Sequence, residues 1–169
     1  GFAFPETGAQ FNMGFALVPV VCRPTSVGRL WLRSNNPMDP PAFNMNYLTT
    51  DYDMSVLLYG MELGREIVNT KAFEGLRGAE LLPGPEIGTD VEKLKDYTRR
   101  TCITDWHPSG SCKMGLDAMA VVDPQLRVYG VQGVRVVDAS IMPSVVSGNI
   151  QASVFAIGEK GADLILQDA

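Results

Sequence analysis

His107 is the sole imidazole in the chain, and Asn149 stands 42 residues beyond it. An imidazole, with an unperturbed pKa near 6.5, accepts a proton readily at neutral pH, and a well-placed base of this kind is typically worth about 10²- to 10⁴-fold in rate. A carboxamide offers both a donor and an acceptor, so it can hold an oxygen on which negative charge develops. Each side chain also has an ordinary structural use: a lone histidine often completes a packed site, and an asparagine after Ser-Gly often caps a helix. The neighbouring residues sharpen the choice. His107 sits in Thr104-Asp105-Trp106-His107-Pro108-Ser109-Gly110-Ser111-Cys112-Lys113-Met114-Gly115. There Pro108-Ser109-Gly110 stiffens and turns the backbone and so fixes the direction of the ring. Asn149 closes Val136-Val137-Asp138-Ala139-Ser140-Ile141-Met142-Pro143 through Ser147-Gly148-Asn149-Ile150-Gln151.

The elements that must carry these loops read as α+β. The run Phe11 to Cys22 is rich in β-formers and leads through Arg23-Pro24-Thr25-Ser26-Val27-Gly28 into Arg29-Leu30-Trp31-Leu32-Arg33, which alternates charged and apolar residues. This pattern predicts a hairpin with one wet face. A turn cluster, Asn35 to Pro41, precedes a third short strand from Ala42 to Tyr47, so an antiparallel sheet is expected. Asp51 is placed to cap a helix to about Asn69 that covers one face of that sheet, with Met54, Leu57, Leu58, Met61 and Val68 near helical spacing. Thr89 and Glu92 form a capping-box pattern before a charged helix ending near Arg100. After His107 come short β-rich runs, Ala120 to Asp123, Leu126 to Tyr129 and Val134 to Asp138. The helix expected from Ile150 to Leu166 carries Gly158 and Gly161. Each costs about 1 kcal/mol relative to alanine, which points to close backbone packing against a neighbour.

Composition excludes several classes. A chain of 169 residues with 46% hydrophobic residues supplies a core, and a net charge of −5 argues against nucleic acid or an anionic membrane as partner. No apolar run approaches the roughly 20 residues of a membrane span, and any targeting segment is expected upstream of Gly1. Cys22, Cys102 and Cys112 have no C-x-x-C spacing, and one histidine does not complete a usual zinc set with them, so no metal site is expected. Cys102 and Cys112 could bridge across a loop, but unpaired, partly buried thiols are the preferred reading.

The two signature segments resemble the C-terminal portion of the glucose-methanol-choline family of FAD-dependent oxidoreductases. The resemblance extends from Arg23-Pro24-x-Ser26-x-Gly28 and Asn46-Tyr47-Leu48 to Ile157-Gly158-Glu159-Lys160-Gly161-Ala162-Asp163-Leu164-Ile165. It implies that His107 is the catalytic base, that Asn149 is the second active-site residue, and that Trp106, Asp138, Ala139, Ile150 and Gln151 line the FAD. It further implies part of a substrate-binding domain at residues 1–104, an antiparallel sheet with flanking helices. Residues 105–169 would be the last strands and C-terminal helix of a Rossmann-like FAD-binding domain. A helix starting at Ile150 would aim unpaired N–H groups and its positive dipole end at the flavin edge. The chain contains no Gly-x-Gly-x-x-Gly, so the phosphate-cradling half of the enzyme is expected outside it, as the partner of this piece.

The sequence departs from the usual family pattern at two places. Ser111 stands where threonine is usual and keeps the hydroxyl, whereas Ile150-Gln151 stand where Thr-Asn is frequent and alter the side chains beside the cofactor. The expected function is oxidation of a primary or secondary alcohol by proton abstraction and hydride transfer to flavin N5. A hydroxynitrile lyase on the same scaffold is the alternative within the family, because fold alone does not choose the reaction. A non-catalytic module binding a partner through its sheet is the alternative outside it.

Overall fold

The computed structural model describes the backbone of residues 3–4 and 9–10 and the whole of residues 14–168. Strands β1 (Ala3–Phe4) and β2 (Ala9–Gln10) pair antiparallel, and so do β3 (Arg29–Trp31) and β4 (Ala42–Asn44), with Leu30 opposite Phe43. Three helices follow: α1 (Asp51–Val68), α2 (Val91–Thr101) and α3 (Gln151–Gln167), with single 3₁₀ turns at Lys71–Phe73 and Ala139–Ile141. The fold is a small α+β piece. It divides into two compact units, one of the described residues up to Val21 with Leu48–Thr104, the other of Cys22–Tyr47 with the residues from Asp105 onward.

The strand expected over Phe11 to Cys22 is absent from its described part. Phe11 to Met13 lie outside the described residues, and Gly14 to Cys22 make no ladder. The reason is a notch on α1: a Cβ at Gly60 would stand 2.4 Å from the Cβ of Pro19, and one at Gly64 would stand 3.6 Å from that of Leu17. The segment lies along this glycine face, with the Phe15 ring 5.4 Å from Phe73, and Pro19 withholds a ladder donor in any case. β3 pairs antiparallel with β4, as expected, but without the first expected strand, and Leu30 remains exposed on the two-stranded ribbon.

The helices begin within a residue of expectation, and the shifts have local causes. Thr50, in extended conformation, caps α1 by accepting from the Asp53 N–H at 3.5 Å, which leaves Asp51 as the first helical residue, its charge favourable to the dipole. Asp90 caps α2 in place of Thr89, its carboxylate accepting from the N–H groups of Glu92 at 3.0 Å and Lys93 at 3.2 Å. Arg65 of α1 reaches Glu80 at 2.6 Å and donates to the Gly88 carbonyl at 2.7 Å, tying the connection between the helices to α1.

In the second unit the β-rich runs pair only as isolated bridges, Met114 with Val122, Val122 with Val128 and Arg127 with Arg135. Tight turns interrupt them: Gly130 and Gly133 sit at φ of +77° and +74°, which glycine alone adopts freely. Around them lies the core, Val122, Leu126 and Ile141, against which Val136, Val137, Ile157 and Leu164 pack. The close approach expected of α3 is seen at Gly161, where a Cβ would fall 2.2 Å from Cγ1 of Val137, but not at Gly158, which has nothing within 4 Å.

Candidate active site

Backbone hydrogen bonds lace the two signature segments together. The N–H groups of Gly110, Cys112 and Met114 donate to the carbonyls of Ala139, Ser140 and Ile141 at 3.4, 2.9 and 2.7 Å. The three bonds hold residues 110–114, which turn at Ser111-Cys112, against the 3₁₀ turn at 139–141. Gly110 holds the bend at φ +82°, where a Cβ would press to 3.3 Å on the Met142 carbonyl. Asp138 caps the turn, its carboxylate accepting from the N–H of Ser140 at 2.8 Å and from the Ser140 hydroxyl. Ile141 anchors the turn in the core at 5% exposure. The lace thus grows from buried hydrophobes outward to the loop that carries His107.

The His107 side chain is 26% exposed, with Nε2 3.8 Å from Oδ2 of Asp105, too far for a hydrogen bond to hold that nitrogen. Before it, Trp106 takes φ +57°, a left-handed conformation that costs a non-glycine residue roughly 1–2 kcal/mol, and the residue is 75% exposed. Such strain persists only where surrounding contacts impose it and is concentrated at working sites.

Asn149 is exposed, and its amide bonds to no described residue. It does not cap α3. Ile150 occupies the cap position, buried to 8% exposure and offering no side-chain acceptor, so α3 starts one residue later than expected. The first helical bond runs from the Val154 N–H to the Ile150 carbonyl at 2.9 Å. The N–H groups of Gln151, Ala152 and Ser153 thus have no side chain to accept from them, and they form an anion-favouring end beside a free carboxamide.

Of the residues expected to line a cofactor, Asp138 and Ala139 belong to the laced turn, Ile150 and Gln151 to the start of α3, and Trp106 to the loop of His107. One contact had no sequence signal: Arg23 Nε donates to the hydroxyl of Ser147, two residues before Asn149. All three cysteines are free, and burial pushes the Cys102 thiol above its usual range. Among the described residues no cluster of histidine, cysteine and carboxylate side chains is arranged to hold a metal ion, and no helix is long and apolar enough to cross a membrane.

The sequence profile of the GMC oxidoreductase family matches residues 24–158, and the chain belongs to that family. It is 46% identical over 160 residues to an oxygen-dependent choline dehydrogenase of Pseudomonas fluorescens, covering 95% of this chain and 27% of that protein. Among solved structures it resembles pyridoxine 4-oxidase from Mesorbium loti, with a TM-score of 0.80 and 36% identity over 86% of this chain and 28% of the other. It also resembles a fungal aryl-alcohol oxidase, with a TM-score of 0.78 and 29% identity over 87% of this chain and 24% of the other. The chain thus spans about a quarter of the length of the relatives it matches. FAD is the cofactor of the family. The uncapped first turn of α3 and the free amide of Asn149 fit an electron-rich ring edge.

Proposed function

We propose that this chain forms the catalytic edge of an FAD-dependent alcohol oxidase or dehydrogenase in which His107 is the base and Asn149 the positioner. The single observation that carries the reading is the lace between residues 110–114 and 139–141, which brings the segments of His107 and Asn149 onto one core. When bound, FAD supplies the hydride acceptor, at N5 of its ring. His107, with no hydrogen bond holding Nε2, accepts the hydroxyl proton of the substrate as the C–H bond breaks. Asn149 donates its amide N–H to the same oxygen, which gains negative charge as the proton leaves. Trp106, Asp138, Ala139, Ile150 and Gln151 border the cofactor, with the N–H groups at the head of α3 favouring negative charge there.

In this reading residues 1–104 are part of the substrate-binding domain. Residues 105–169 complete a Rossmann-like FAD-binding domain whose phosphate-binding turn lies in the remainder of the enzyme, this piece's partner. The substrate is a primary or secondary alcohol, and choline is the first to test because of the likeness to choline dehydrogenases. The test is anaerobic stopped-flow mixing of the full-length flavoenzyme with choline. Wild type should bleach the flavin, and His107→Ala at equal FAD occupancy should do so about 10²- to 10⁴-fold more slowly, a barrier increase of roughly 3–5 kcal/mol. Reduction by His107→Ala at the wild-type rate across the pH range would remove His107 from the role of base. Cyanide release from a cyanohydrin with no bleaching by any alcohol would replace oxidation with a lyase reaction.

A further inference from the structure

We infer that Arg23 is a positioning residue that holds Asn149 in place through Ser147, an inference that rests on the role proposed above for Asn149. The two partners lie 124 residues apart in sequence, yet Arg23 Nε donates to the Ser147 hydroxyl within the second compact unit. The loop from Pro143 to Asn149 needs such an anchor. Only Val145 in it is better than exposed, and its one internal backbone bond among the described residues is the short turn from the Gly148 N–H to the Val146 carbonyl at 2.9 Å.

On the far side of Asn149 the chain is secured by the buried Ile150 and by α3. On the near side stands Gly148, at φ +143° with nothing within 4 Å of where a Cβ would be. A glycine in open space leaves the backbone free to swing. The first group before it that is held by a distant element is the Ser147 side chain. Asn149 is therefore located by two points, Ile150 and Ser147.

Arg23 is itself well founded. It opens the segment Arg23 to Gly28, where a Cβ at Gly28 would stand 2.6 Å from the Asn44 carbonyl oxygen and 2.9 Å from that of Met45. The Asn46 amide donates to the Val27 carbonyl at 3.0 Å and closes the same contact. Pro24 restricts the backbone of Arg23 to extended conformations. A guanidinium is planar and forked, so its donor has a defined direction that a flexible ammonium lacks. The link consequently transmits the rigidity of the β3–β4 segment to a loop that has little of its own. The carboxamide of Asn149 has to meet a developing oxyanion, and misplacement by about 1 Å costs on the order of 10²-fold in such a step.

The test uses the full-length flavoenzyme as wild type, Arg23→Gln, Ser147→Ala, Ser147→Thr, Asn149→Ala and the double variant Arg23→Gln/Asn149→Ala. Two readouts are taken at matched FAD content: the limiting rate of flavin reduction by choline, and hydrogen exchange of the peptide spanning residues 143–150. Arg23→Gln and Ser147→Ala should each slow reduction by about 10- to 100-fold and speed exchange in that peptide, and Ser147→Thr, which keeps the hydroxyl, should restore both. In the Asn149→Ala background Arg23→Gln should cause no further slowing, since the residue through which it acts is gone. Ser147→Ala removes one exposed hydroxyl and keeps the test open should Arg23→Gln fail to fold. Unchanged exchange in both Arg23→Gln and Ser147→Ala, or the same slowing by Arg23→Gln with and without Asn149, overturns the inference. If Asn149→Ala reduces like wild type, the proposed role of the amide fails. If Asn149→Ala is slow while Arg23→Gln and Ser147→Ala are not, only the link fails.

Discussion

Gly161 and Gly158 stand three residues apart on α3 and should respond to alanine with opposite signs. Both substitutions gain the same helix propensity, about 1 kcal/mol. They differ in what the new methyl group meets. At Gly161 it would fall 2.2, 3.1 and 3.3 Å from Cγ1, Cγ2 and Cβ of Val137, against an ordinary carbon contact of about 3.5–4.0 Å. All three atoms belong to one β-branched side chain, stiff at χ1 and packed against the core, so it has no free rotation by which to yield. Overpacking of this kind costs about 1–3 kcal/mol, so the net effect of Gly161→Ala is a loss of about 1 kcal/mol. At Gly158 nothing lies within 4 Å, and the propensity gain stands alone. The two variants should therefore differ by about 2 kcal/mol, the overpacking term by itself. With a urea dependence of about 2 kcal/mol per molar, their unfolding midpoints should lie about 1 M apart, read by far-ultraviolet circular dichroism of residues 1–169. Equal midpoints, or a more stable Gly161→Ala, would refute the packing argument for α3.

Three further outcomes are expected. Burial works to raise the Asp123 carboxyl, but the backbone and guanidinium donors of Arg127 and the N–H of Gln125 outweigh it and hold the group below the usual carboxylate range. A depressed carboxylate stabilises the fold fully above its unfolded pKa, near 3.9, and loses that contribution as pH falls toward its folded value. Asp123→Ala should accordingly lower the urea midpoint at pH 7, and the gap from wild type should close as pH drops below about 4; a gap that is constant with pH would disprove the ionic origin. Residues 1–169 alone should not retain FAD, because the chain lacks a glycine-rich turn for the pyrophosphate, and micromolar binding by calorimetry would reveal a cofactor site of another kind. Exposed Cys22 should react with a disulfide reagent before Cys102, whose thiol burial makes harder to ionise, and mass spectrometry showing Cys102 labelled first would contradict this.

The three helices were legible from sequence because the forces that define them act within a few residues. A cap needs one acceptor near three N–H groups, and Thr50 and Asp90 each lie one position from the residue expected in that role. His107 and Asn149 stood out as candidates by type and by the turns around them, and the roles proposed for them rest on the resemblance of their segments to the family. Strand pairing was not legible in this way. Nothing in Gly14 to Cys22 indicates that Pro19 fits the notch at Gly60 better than the segment fits beside β3, because that choice compares two distant surfaces. The lace from Gly110, Cys112 and Met114 to the 139–141 turn and the contact of Arg23 with Ser147 have the same origin. Each closes a long loop, so its entropy is offset only after the core of Val122, Leu126 and Ile141 has brought the segments together. Local hydrogen bonding is written in neighbouring residues, whereas complementarity between surfaces exists only once both have formed.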